Sequence, residues 1–108
     1  MADTKPKFVV NKTFKLDYLG KDWKDCFILF ESTSIRENND FTRLKITSKS
    51  AKQQQEIILQ FLRDHFIEGV GFDSNTKAVV PITKEDFDLL PSLVLEKIIL
   101  FLIGDATQ

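Results

Sequence analysis

The 108-residue sequence contains one cysteine, one histidine, four glycines and three prolines, and it has no long apolar run. The single cysteine, Cys26, cannot form an intrachain disulfide, which is typical of a reducing compartment and favours the cytoplasm. The longest apolar run, Ile98 to Ile103, has six residues, whereas a membrane-spanning helix needs about 20. Fifteen Lys and Arg against sixteen Asp and Glu give a net charge of −1, without the positive field of a nucleic-acid-binding domain. The sequence therefore predicts that the chain has no membrane segment and no nucleic-acid partner.

The residues available for catalysis or metal binding are equally few. With one cysteine and one histidine, no zinc-binding spacing exists, and no glycine-rich elbow frames Cys26, which lies in an apolar strand pattern where thiols are usually inert. The turn that begins at Asp73 fails as a calcium loop, because Ala78 replaces the required glycine and Lys84 the required acid. His65 lies on the apolar face of a predicted helix, where we expect a hydrogen-bonded side chain at the core edge. We therefore predict no enzyme activity, metal or cofactor.

What the sequence has in abundance is phenylalanine. Ten phenylalanines and 43% hydrophobic residues supply enough apolar area for one core, and 108 residues leave room for little more than one domain. The ends show no periodic pattern and are predicted to be flexible tails. We expect an N-terminal tail over residues 1–11, a single domain over 12–104 and a C-terminal tail over 105–108.

An antiparallel β-hairpin is predicted near the N-terminus. Phe14, Leu16 and Tyr18 alternate with polar residues, which predicts a strand with one apolar face. A turn at residues 20–22 leads to a continuous apolar segment at residues 25–31, typical of a central strand.

Two capping-box patterns follow. The first, Ser34-Ile35-Arg36-Glu37, could begin a helix, but poor helix formers follow it, and Leu44 and Ile46 would suit a strand equally well. We predict a short helix or an irregular segment over residues 36–47. The second, Ser50-Ala51-Lys52-Gln53, opens a long amphipathic helix from Ser50 to Glu68, and Gly69 is predicted to end it.

The last third predicts a small second hairpin and a pair of helices. Turn formers at Asp73 to Thr76 lie between two short apolar segments, which favours a hairpin. Thr83 and Pro91 then open two helical segments, of which the second ends at Gly104. The predicted fold class is therefore α+β.

The terminal helix is apolar on two sides. One side forms a broad stripe of Val94, Leu95, Ile98, Phe101 and Leu102. The opposite side carries Leu93, Leu100 and Ile103 around Glu96. Either the helix is buried all round, or the second side is a surface for self-association or a helical partner. The candidate partner-binding residues are Leu93, Glu96, Leu100, Ile103 and His65.

The order of motifs resembles a known family. An amphipathic helix is followed by Val70-Gly71-Phe72, by Val80-Pro81-Ile82-Thr83 and by the run from Glu85 to Pro91, before the apolar helix closes the chain. Near the front, Phe14-Lys15-Leu16-Asp17 with Trp23 fits the same pattern. Over residues 12–103 this order is similar to that of the small tail assembly chaperones of long-tailed bacteriophages.

The resemblance implies a function that residue chemistry alone does not supply. It implies a non-catalytic protein of the infected host cytoplasm that binds the helical tape measure protein and keeps it soluble until the tail tube assembles. It also implies possible self-association. Two alternatives are a small structural component of the phage tail or virion, and a cellular protein-interaction adaptor domain.

Overall fold

The computed structural model describes residues 8–104 and confirms an α+β fold. The regular elements in chain order are β1 (Asn11–Lys15), β2 (Phe27–Glu31), α1 (Ile35–Thr47), α2 (Ala51–His65), β3 (Phe66–Asp73), β4 (Ala78–Pro81) and α3 (Ser92–Gly104). Short 3₁₀ helices lie at Asp17–Leu19, Lys21–Trp23 and Lys84–Leu89.

The four strands form one antiparallel sheet in the order β1-β2-β3-β4. Both predicted hairpins are present, with Phe14 opposite Ile28 in the first and Phe72 opposite Val79 in the second. They are joined by the pairing of β2 with β3, in which Phe27 lies opposite Val70. Because α1 and α2 separate these two strands along the chain, the local sequence pattern did not predict this central pairing.

The segment that the sequence left open is helical. The predicted capping box is formed: Ser34 Oγ accepts a hydrogen bond from the Glu37 amide at 3.1 Å, and Glu37 Oε1 accepts one from the Ser34 amide at 2.9 Å. The Phe41 ring stacks on Phe61 of α2 with 4.1 Å between centroids. Capping and packing against α2 thus stabilise α1 despite its poor helix formers.

The predicted end of the second helix is wrong. α2 ends at His65 instead of Glu68, and Phe66 adopts an extended backbone that begins β3. The Phe66 ring lies 6.4 Å from the ring of Phe30 and 5.1 Å from that of Phe87, so aromatic packing favours the strand. Gly69 lies within β3, where a Cβ would stand 2.8 Å from the carbonyl oxygen of Phe27. Close approach of two strands, and not helix termination, explains this glycine.

Two boundaries at the front also differ from the prediction. β1 ends at Lys15, so Tyr18 lies outside the strand and is 45% exposed. Asn11, assigned to the tail by the sequence, pairs with Glu31, and the Val10 carbonyl accepts a hydrogen bond from the backbone of Ser32. The ordered sheet therefore begins earlier than predicted. Of the predicted tails, residues 1–7 and 105–108 lie outside the described residues.

The core lies on one face of the sheet. Phe14, Ile28 and Phe30 point into it and are buried, whereas Phe27 and Leu29 on the opposite face are half-buried. The helices cover the buried face, as the ring contacts show. Phe101 of α3 lies 5.3 Å from Phe14, and Phe87 lies 6.3 Å from Phe30.

The C-terminal end of α3 is held by side chains from the front of the chain. Thr33 Oγ1 donates a hydrogen bond to the Leu102 carbonyl at 3.0 Å, and Lys12 Nζ donates one to the Phe101 carbonyl at 2.9 Å. The last carbonyls of a helix have no partner within it and favour a nearby cation. These contacts fix the direction in which α3 crosses the core.

Candidate functional site

One side of α3 is core and the other is open. Val94, Ile98 and Leu102 are at most 2% exposed, as the stripe predicted. Leu93 is 58% exposed and Leu100 is 68% exposed. Burial of the helix all round, the first of the two alternatives, is therefore wrong, and an apolar surface remains on the domain.

A groove of about 600 Å³ lies between α2 and α3. Its apolar lining consists of Ile58 and Leu59 from α2, Leu95, Ile99 and Leu100 from α3, and Leu90 from the segment before α3. Residues 57–59 of α2 are half-buried and pack against the core beside Phe61 and Leu62, and Ile58 and Leu59 also line the groove. Apolar residues of two neighbouring helices thus meet at one surface.

The rim of the groove is polar and carries more acid than base. Asp88, Glu96 and Lys45 contribute its charges, and Gln55 and Ser92 its neutral polar groups. Lys45 Nζ lies 5.2 Å from the centroid of the Phe41 ring, a cation–π contact. Among residues 8–104, neither Asp88 nor Glu96 makes a salt bridge or a side-chain hydrogen bond. Two exposed carboxylates therefore border the groove without a cationic partner.

The groove contains some of the residues proposed from the sequence. Glu96 and Leu100 line it, whereas Leu93 is exposed outside the lining and Ile103 is half-buried against the core. His65 is 6% exposed. Its Nδ1 lies 2.9 Å from the Phe61 carbonyl oxygen and its Nε2 3.0 Å from a carboxylate oxygen of Glu37, which confirms a hydrogen-bonded histidine. A role for any of these side chains in partner binding stays a prediction.

Sequence reasoning missed most of the groove. Lys45, Leu59, Asp88, Leu90 and Ile99 come from four separate segments, so helical periodicity within one segment could not place them together. The usable signal was the continuous apolar run at residues 57–59.

The thiol of Cys26 is the other reactive side chain considered from the sequence, and it is buried. Cys26 is 2% exposed, and burial, together with the nearby carboxylate of Asp25, raises the pKa of its thiol. A raised pKa reduces the thiolate fraction, the form that acts as a nucleophile.

Within residues 8–104, no group of three or more His, Cys, Asp or Glu side chains is arranged to hold a metal ion. No helix of the described chain has the length and apolar character to cross a membrane.

No protein-family model, curated protein or solved structure matches this chain. An apolar floor between two helices, bordered by polar groups, is the arrangement that binds an amphipathic helix through residues at i, i+3, i+4 and i+7.

Proposed function

We propose that this chain is a non-catalytic tail assembly chaperone of a long-tailed bacteriophage. It binds an apolar helical segment of the tape measure protein and keeps that protein soluble in the host cytoplasm until the tail tube assembles around it. The observation that carries the proposal is the apolar groove between α2 and α3 with the exposed side chain of Leu100 at its edge.

The family resemblance supports the proposal, and one of its motifs, the run from Glu85 to Pro91, contributes to the groove. Val70-Gly71-Phe72 lies in β3, and Val80-Pro81-Ile82-Thr83 leads from the sheet to the 3₁₀ helix. The run from Glu85 to Pro91 then supplies Asp88 and Leu90 to the groove and delivers the chain to α3.

The need for a chaperone follows from the apolar surface of a tape measure protein. A long helical protein that exposes apolar faces before assembly aggregates unless those faces are covered. The cover must be reversible, because the tube subunits replace it. A shallow groove that buries a few apolar side chains gives this moderate affinity, whereas a large buried interface would hold the client permanently.

The test is co-purification from cells that express this chain together with its neighbouring genes. The tagged chain and its neighbouring genes are expressed together, and captured proteins are identified by mass spectrometry. We expect the tape measure protein to be recovered with the unaltered chain and to be lost with Leu100→Glu. Ile35→Glu is the matched control, because Ile35 is 69% exposed against 68% for Leu100 and lies outside the groove.

Circular dichroism of both variants checks that each keeps its fold. Equal recovery with Leu100→Glu, or no tape measure protein with any form, would reject the proposal. Immunoblots of purified phage particles distinguish a chaperone from the alternative, a structural component of the tail or virion. A chaperone is absent from mature particles, whereas a tail component is retained in them.

A further inference from the structure

The charges at the rim of the groove restrict what it binds. Glu96 projects from α3 and Asp88 from the end of the 3₁₀ helix, and both side chains are exposed. The single cation of the lining, Lys45, is half-buried and lies over the Phe41 ring. Two carboxylates against one ammonium leave the lining with a net negative charge, and neither carboxylate is neutralised by a described residue.

Residues 1–7 and 105–108 contain Met1 as their one large apolar side chain, so these two segments do not supply the apolar face that the groove would bind. A second copy that docked through the open side of its own α3 would present Glu96 between Leu93 and Leu100. That glutamate would then face the carboxylates of the first copy, an unfavourable contact between like charges.

We infer that the groove selects an amphipathic helix of the client whose apolar face is bordered by lysine or arginine. The inference rests on the proposed function, and it adds the charge of the segment that is recognised. Leu59, Leu95 and Ile99 bury the apolar face of the client helix, and basic residues about one turn from that face meet Asp88 and Glu96. Such exposed pairs contribute modest affinity each but discriminate against acidic helices.

The experiment uses three synthetic helical peptides with the same leucine face at i, i+3, i+4 and i+7. The flanking positions are lysine in the first peptide, glutamine in the second and glutamate in the third. Binding to the full chain is measured by fluorescence anisotropy. We expect the lysine peptide to bind about three- to tenfold more tightly than the glutamine peptide, and the glutamate peptide to bind most weakly. The preference should shrink between about 50 mM and 500 mM salt, because salt screens exposed charges.

Variants of the chain test whether Asp88 and Glu96 cause the preference for the lysine peptide. Asp88→Asn with Glu96→Gln should abolish the difference in affinity between the lysine and glutamine peptides. Glu68→Gln is the control, because Glu68 is an exposed carboxylate on β3 outside the groove, and it should keep the preference.

The outcomes distinguish this inference from the function on which it rests. If the tape measure protein is captured but the three peptides bind equally, the charge selection is wrong and the chaperone proposal stands. If neither peptides nor the tape measure protein bind, the proposed function fails as well. A dimer in sedimentation velocity that Leu100→Glu dissociates would assign the groove to a second copy and overturn the inference.

Discussion

Glu37 and His65 join α1 to α2 through a hydrogen bond of 3.0 Å between the carboxylate Oε2 and the imidazole Nε2. The other carboxylate oxygen accepts from the Ser34 backbone amide and so caps α1. The imidazole Nδ1 faces the Phe61 carbonyl oxygen, which can only accept, so Nδ1 carries a proton. One side chain thus both caps a helix and links two helices.

This double role predicts unequal effects of two substitutions at Glu37. Glu37→Ala removes the cap and leaves the buried imidazole without one partner, so we expect a loss of about 1–3 kcal/mol in the free energy of unfolding. Glu37→Gln keeps an acceptor for the Ser34 amide and replaces the carboxylate oxygen that faces the imidazole with an amide group, so it should cost less than about 1 kcal/mol. Urea denaturation followed by circular dichroism measures both. Equal losses would show that the carboxylate does not serve both contacts.

The close approach of β2 and β3 predicts that position 69 tolerates no side chain. In Gly69→Ala the new methyl would stand 2.8 Å from a backbone oxygen, so the strands must separate. We expect a loss of about 1–3 kcal/mol in the free energy of unfolding. Gly104→Ala is the control, because nothing lies within 4 Å of its Cβ position, and it should be neutral or stabilising by up to about 1 kcal/mol. Thermal unfolding of the two variants should therefore diverge in opposite directions.

The two sides of α3 predict different responses to truncation. Ile98 is fully buried, so Ile98→Ala should lower the free energy of unfolding by about 2–5 kcal/mol. Leu93 is 58% exposed, and Leu93→Ala should stay within about 0.5 kcal/mol of the unaltered protein. Chemical denaturation provides both values. A large loss from Leu93→Ala would contradict the open surface on α3.

The thiol of Cys26 should be slow to react in the folded protein. Burial raises its pKa, so at a given pH less thiolate is present than in an unfolded chain. We expect labelling by a chromogenic disulfide reagent to be at least about tenfold slower than in urea-unfolded protein. Fast labelling without urea would contradict the burial of this side chain.

The same raised pKa of Cys26 sets a pH dependence of stability. The folded state retains the thiol proton more strongly than the unfolded state does, so unfolding is coupled to proton release above the pKa of a free thiol. The contribution of the protonated thiol to the free energy of unfolding is fully present below about pH 8.5. It is lost as the pH rises through the higher pKa of the folded state. Cys26→Ala should flatten this part of the pH profile, measured by urea denaturation between about pH 7 and pH 10.

Patterns within one segment predicted the fold class and both hairpins, because alternation and capping residues act over a few neighbours. Whether residues 66–69 form a helix or a strand depends on residues that are distant in the sequence. A glycine after an amphipathic helix usually ends it, but Phe66 gains more from packing between Phe30 and Phe87 than from another helical turn. The helix 36–47 was undecided for the same reason, since Phe61 lies twenty residues beyond its partner Phe41.

The apolar surface was predicted in part. Helical periodicity placed Leu93 and Leu100 away from the core stripe, and the structure exposes both. Periodicity within α3 could not reveal that Ile58 and Leu59 of α2 lie across from Leu100, because the packing of one helix beside another depends on contacts that no local pattern encodes.

The attachment of α3 to Lys12 and Thr33 has a consequence for the order of events during synthesis. The first hairpin leaves the ribosome before α3, and the helix that covers Phe14 is translated after every other described strand and helix. Until then the nascent chain exposes an apolar sheet of the kind that aggregates. A protein proposed to shield the apolar surface of another chain thus has to pass through a stage in which its own is unprotected.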